Sequence, residues 1–249
     1  MGFLDSLFGD KPTQKAIDKQ VLRVKERYAQ PEYRREAMEK LLSWGTPEAL
    51  AAVLARFTVV VQSPHWDEDE KRWLVDELAT RGEPARQALQ AFLAREDSVA
   101  FAAQALRKLS SSKEQWLNDM VAALHARPAD DHRTTQGKAE LVAQLRDEGG
   151  ADVVQAVLPY LADHSDDVQM ATIDCLDHHV EGATDDVKAA VAARFATVVA
   201  DDGRSARVLR HAAAAMARRK FAVDATKPLA PAVAEDFVVT DGKLAPARP

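Results

Sequence analysis

The sequence predicts an all-α fold. The expected architecture is an α-solenoid of about five to six antiparallel helix pairs, wound as a right-handed superhelix, with a short irregular or hairpin C-terminal tail. Three observations predict it. First, 47% of the 249 residues are hydrophobic but only 6% are aromatic, so the apolar surface is mainly Ala, Leu and Val, and Ala and Leu favour helices. Second, apolar residues recur at helical spacing from Thr13 to about Val223, with almost no strand alternation. Third, the helical segments come in pairs. Equivalent apolar positions near Leu41, Leu78, Leu106, Leu145, Leu176 and Met216 make five steps averaging about 35 residues, the length of a helical-pair repeat.

The elements follow in order. "TQKAIDKQVLRVKERYAQ" reads as a capping helix. "PEYRREAMEKLLSWG" with "TPEALAAVLARF" is the first pair, and "DEDEKRWLVDELATRG" with "EPARQALQAFLARE" the second. "DSVAFAAQALRKLSS" precedes "SKEQWLNDMVAALHAR", and "HRTTQGKAELVAQLRDEGG" precedes "ADVVQAVLPYLADH". "SDDVQMATIDCLDHHVEG" precedes "ATDDVKAAVAARFATVVA", and "GRSARVLRHAAAAMARRKF" begins a sixth pair that is not completed. Gly45, Gly82, Gly149 and Gly182 each follow a first helix, where a left-handed cap suits glycine. Thr46, Ser112 and Thr184 are candidate N-caps of second helices, while Asp67, Asp97 and Ser165 precede first helices. In the tail, "FVVTDGKLA" sets an Asp-Gly turn between short apolar runs, the pattern of a hairpin or of an extended strap.

"SDDVQMATIDCLDHHVEGATDDVKAAV" and "REAMEKLLSWGTPEALAAVL" resemble HEAT repeats of the short bacterial type. That pattern has an acidic N-cap, a Val, an Ala four or five residues before a Leu-type position, then Gly or Pro before the second helix. The resemblance covers roughly residues 31 to 222. It implies a domain plan of leader and capping helix at 1–30, repeat domain at 31–223 and Pro-rich tail at 224–249. It also implies a scaffold whose partners vary from one protein to the next.

The formal net charge of −6 argues against a dedicated nucleic-acid binder. The lone Cys175 cannot form an intrachain disulfide, and "MGFLDSLFGD" lacks the features of a secretory signal. A cytoplasmic protein is expected. Around Cys175 lie three histidines and five aspartates between Asp163 and Gly182. A helical wheel splits them, with Cys175 and His179 on the apolar face and Asp174 and His178 on the other. Repeat packing is therefore expected there, with Asp174–His178 a solvated pair. No catalytic, cofactor or metal residue is assigned.

The expected function is an interaction scaffold, non-enzymatic, that takes a peptide or protein along a surface built from the second helices. An alternative opened by the resemblance is a HEAT-like enzyme, similar to DNA glycosylases or bilin lyases. Candidate partner-binding residues are Trp66, placed in a polar loop "QSPHWDEDE", and Arg204, Arg207, Arg210 and Arg218 of a basic helix on which Arg204, Arg207, His211 and Arg218 make one stripe; these would suit an acidic partner. Trp73 and Trp116 fit core positions. Phe3, Leu4, Leu7 and Phe8, with Lys11, Lys15, Lys19 and Arg23 beside them, are a candidate for weak membrane association.

Overall fold

The computed structural model describes residues 11–223 and 226–247. Phe3, Leu4, Leu7 and Phe8 lie outside the described residues. Helices dominate: α1 Gln14–Val24, α2 Pro31–Trp44, α3 Pro47–Val53, α4 Pro64–Ala79, α5 Gly82–Leu93, α6 Ala100–Leu109 and α7 Lys113–His125. Then come α8 Thr135–Glu148, α9 Val153–Val157, α10 Asp166–His179, α11 Asp185–Val199, α12 Ala206–Arg219 and the one-turn α13 Pro231–Ala234. A two-stranded antiparallel hairpin, β1 Phe237–Thr240 and β2 Lys243–Pro246, follows in the register Thr240↔Lys243 to Phe237↔Pro246. Asp241 and Gly242 form its turn with φ of 50° and 74°, the left-handed pair that an Asp-Gly hairpin turn needs.

Most helices fall where the periodicity places them. Two second helices come out shorter. α3 and α9 each tighten into a 3-10 turn, Leu54–Thr58 and Leu158–Ala162. Pro159 accounts for the second, because it has no N–H to continue an α-helical ladder.

Several expected caps are corrected. Gly45 and Gly82 do adopt left-handed backbone, φ 62° each. Gly149 does not; it is required by space, since a Cβ there would lie 2.2 Å from the Leu145 carbonyl oxygen. Gly182 also lacks a positive φ and ends a 3-10 turn, Val180–Gly182. Thr46 and Ser112 accept the backbone N–H of Ala49 and Gln115, as N-caps do. Thr184 and Ser165 stand at cap positions, but neither side chain receives a cap bond. Asp67 lies inside α4, which starts earlier on Ser63 and Pro64, and Val99 rather than Asp97 precedes α6. Serine as cap with proline in the first turn is the stronger start signal.

The chain divides into two compact units, Met1–Ala123 and Leu124–Pro249. In the first, α1 packs on α2 and α3, α2 on α4, and α4 on α6, while α3 packs on α5 and α5 on α6. First helices thus neighbour first helices, and second helices neighbour second helices. Leu41, Leu50, Leu74, Leu78, Leu89 and Leu106 fill the seams. All four tryptophans belong to this unit. Trp116 is buried and donates its indole N–H to the Ala103 carbonyl at 3.2 Å. Trp73, expected in the core, is only half-buried; the Arg35 guanidinium covers its ring at 3.6 Å.

The first unit also buries a cluster of charge. Arg34 and Arg56 are fully buried and both bind Glu70, at 2.6 and 2.8 Å. Arg56 also binds Asp67 at 2.8 Å, and Lys71 binds the same carboxylate at 2.6 Å. Three cations meet two carboxylates. Carbonyl oxygens of Glu26, Ala29 and Val59 accept the remaining guanidinium N–H groups, and the Lys71 ammonium faces the Phe101 ring at 5.5 Å. Burial works to raise the Asp67 pKa, but hydrogen bonds from Lys71, Arg56 and the Val61 N–H outweigh it and hold the carboxyl below its ordinary range.

In the second unit α8 packs on α10, α10 on α9 and α12, and α11 on α12. The outer face of α12 is covered by α13 and β2 through Ala230, Val233 and Leu244, all buried. The unfinished sixth pair is therefore finished by a one-turn helix and a hairpin. Lys138 and Asp163 form a fully buried pair, with the Pro128 and Asp131 carbonyls completing the ammonium's partners. The buried Tyr160 hydroxyl donates to the Leu124 carbonyl at 2.7 Å, and burial followed by the nearby Asp163 charge pushes its pKa up to about 12.

Candidate functional site

The basic helix α12 is engaged within its own unit. Arg204 binds Asp201 at 3.0 Å, the Leu161 carbonyl at 2.7 Å and Gln169. Arg207 pairs with Asp167, and Arg218 with Asp177 at 2.7 Å. Arg219 binds Asp177 and Glu181, and His211 binds Asp174 at 2.6 Å. Arg210 turns the other way, to Asp236 at 2.6 Å and Glu235 at 2.9 Å beside the hairpin. In the sequence Asp201 and Asp202 lie just before these cations, and Asp185 and Asp186 one helix earlier. Of those only Asp201 is used, and the other acids come from α10, from Glu181 in the 3-10 turn after it and from residues that follow α12. The expected Asp174–His178 pair is likewise replaced by Asp174–His211.

These pairs run in one order along both helices, Asp167 with Arg207, Asp174 with His211, Asp177 with Arg218 and Glu181 with Arg219. That order makes α10 and α12 parallel. The same relation holds between α2 and α4, where Arg34 meets Glu70 and Arg81 reaches the Leu42 carbonyl. Between successive first helices, side-chain bonds span from 32 residues, Asp76 to Lys108, to 42 residues, Asp177 to Arg219.

The region around Cys175 is packing. Cys175 is fully buried, and burial raises its thiol pKa to about 12. His179 lies at the C-terminal end of α8, with its Nε2 2.8 Å from the Arg146 carbonyl oxygen. His178 points to solvent.

Trp66 is in the first turn of α4, not in a loop, and is 44% exposed. It forms one wall of a cleft of about 270 Å³ with Pro31, Glu32, Arg35, Asp69 and Glu70. Glu70 is held from below by Arg34 and Arg56, so the cleft floor belongs to the buried charge cluster.

One apolar opening was visible in the sequence only as a general expectation about second helices. A groove of about 370 Å³ lies between α9 with its 3-10 turn and α11. Leu158, Pro159, Val187 and Ala190 line it, with Gln155 and Asp186 at its edges and Arg194 on the same helix as Val187. A second hollow of about 310 Å³ shares Gln155 and Val187 and extends to Ala151, Asp152 and Gly182. Asp186 is kept below its ordinary pKa by the Thr184 hydroxyl and by backbone N–H groups at the start of α11. Apolar walls with an anion and a cation on one helix can seat an apolar segment and fix its direction.

No described group of three or more His, Cys, Asp or Glu side chains is placed to hold a metal ion, and no described helix is long and apolar enough to cross a membrane. The chain matches no family model, no curated protein and no solved structure.

Proposed function

We propose that this protein is an interaction scaffold built from short HEAT-like helix pairs, which binds a peptide or protein segment along its second helices. The repeat reading is supported by parallel first helices whose side-chain bonds span 32 to 42 residues. A pair that recurs at that interval offers the same surface to each neighbour. In this reading the pairs wind as a solenoid, with the capping helix and the hairpin protecting its ends.

The observation that carries the function is the groove between α9 and α11. Leu158, Pro159, Val187 and Ala190 leave an apolar trough where a well-packed helix seam would be closed. A partner helix or extended segment with two or three apolar side chains fits such a trough. Affinity capture with the full chain and with Ala190→Arg tests it. The variant should lose a defined set of captured proteins while its thermal melt stays unchanged. An identical set from both chains would remove the groove from consideration.

A further inference from the structure

The strongest feature that the scaffold reading leaves unused is at the start of the chain. Between Lys11 and Tyr28 there are six basic and two acidic residues, a net +4. The whole chain carries −6, so the remaining residues sum to −10. A charge asymmetry of this kind marks a surface that meets a polyanion.

The cations differ from those of α12 in their engagement. Arg23 is taken up by Glu36 at 2.9 Å and lies 4.2 Å from the Tyr33 ring. Lys11, Lys15, Lys19, Lys25 and Arg27 are all exposed, and their side chains make no ion pair or hydrogen bond with the described residues. The arginines of α12 are paired with acids by contrast. The two acids of the stretch are occupied: Asp18 accepts from Gln14 at 2.7 Å, and Glu26 accepts the Tyr28 N–H at 3.3 Å.

Geometry gathers these cations around apolar groups. On α1, Ile17 and Val24 are buried against α2 and α3. At about 100° per residue, Lys15, Lys19 and Leu22 fall within an arc of about 60° on the opposite side. Leu22 is 74% exposed and Tyr28 is 80% exposed, the two highest values among the described large hydrophobic side chains. A leucine held open beside two free lysines, with a tyrosine in the following turn, is the composition of an interfacial surface.

We propose that residues 11–28 dock the protein on an anionic lipid bilayer. The free ammonium and guanidinium groups lie against lipid phosphates, while Leu22 and Tyr28 enter the interfacial layer. This does not depend on the groove between α9 and α11. Nucleic acid shares the charge but offers no apolar layer for Leu22, so the exposed leucine favours lipid.

The test is co-sedimentation of the full chain with vesicles of phosphatidylcholine alone or with about one-third phosphatidylglycerol. Pelleting is expected only with the anionic vesicles and should fall in high salt, which shortens the screening length. Lys15→Ala with Lys19→Ala should weaken partition about 25-fold, about fivefold for each cation. Leu22→Ser should weaken it about tenfold. Lys113→Ala, at an exposed lysine on α7, should leave it unchanged. These side chains are at the surface, so circular dichroism should show every variant folded. The proposal is overturned if the wild type stays in the supernatant, if it pellets equally with neutral vesicles, or if the double variant matches it. Retention on a DNA duplex without pelleting on vesicles would also overturn it.

Discussion

Glu70 carries more of the first unit than any exposed ion pair. It is the shared anion of Arg34 and Arg56 in a cluster with one cation in excess. Glu70→Ala leaves two buried guanidinium groups facing each other and should cost about 3–5 kcal/mol in urea unfolding. Arg34→Met removes the excess cation and should cost clearly less; equal losses would show that the charge imbalance is unimportant. Asp67 has a lowered pKa in the folded chain. Its stabilisation is therefore present above the unfolded carboxylate value of about 4 and is lost as pH falls through the folded value. Asp67→Asn should flatten the acid limb of a stability–pH curve. Cys175, with its thiol pKa near 12 and no exposure, should resist alkylation at neutral pH until the chain is unfolded. A stoichiometric reaction in native buffer would contradict this burial.

At the level of the element, tight turns matter more than surface charge. Gly149→Ala drives a methyl group into the Leu145 carbonyl and should cost more than about 1 kcal/mol. Gly150→Ala meets nothing within 4 Å and should change stability by less than about 0.5 kcal/mol. Thermal melts of the two neighbours give the comparison. Most of the helices were legible in the sequence, because amphipathic spacing and Ser, Thr and Pro at their starts are local signals. The pairing of charges was not. Asp167, Asp174 and Asp177 reach cations 37 to 41 residues away, so proximity in sequence points to the wrong acids. Arg34 and Arg56 were equally hidden. An arginine in the apolar run around Arg56 reads as an interruption, and its buried carboxylate partners lie 11 and 14 residues away. Trp66 reads from the sequence as a loop residue packed over a helix end or exposed; it was misplaced by the polar residues around it, most of which belong to the first turns of α4, and it is 44% exposed.

At the level of the molecule, each end of the described chain has its own device. α13 and the hairpin cover α12, and Leu244→Ala there should cost about 2–4 kcal/mol by opening a cavity against it. A smaller loss would mean that the hairpin merely rests on the helix. The lipid contact proposed for residues 11–28 and the partner site proposed for the groove of the second unit would give the protein two separate tasks, one of placement and one of capture.

The uneven distribution of indoles provides a readout of cooperativity. With Trp44, Trp66, Trp73 and Trp116 all before residue 124, tryptophan emission reports chiefly on the first unit, whereas far-ultraviolet dichroism sees helices in both. Overlaid denaturation curves from the two signals would coincide for a chain that melts as one body, and would separate for one that melts in halves.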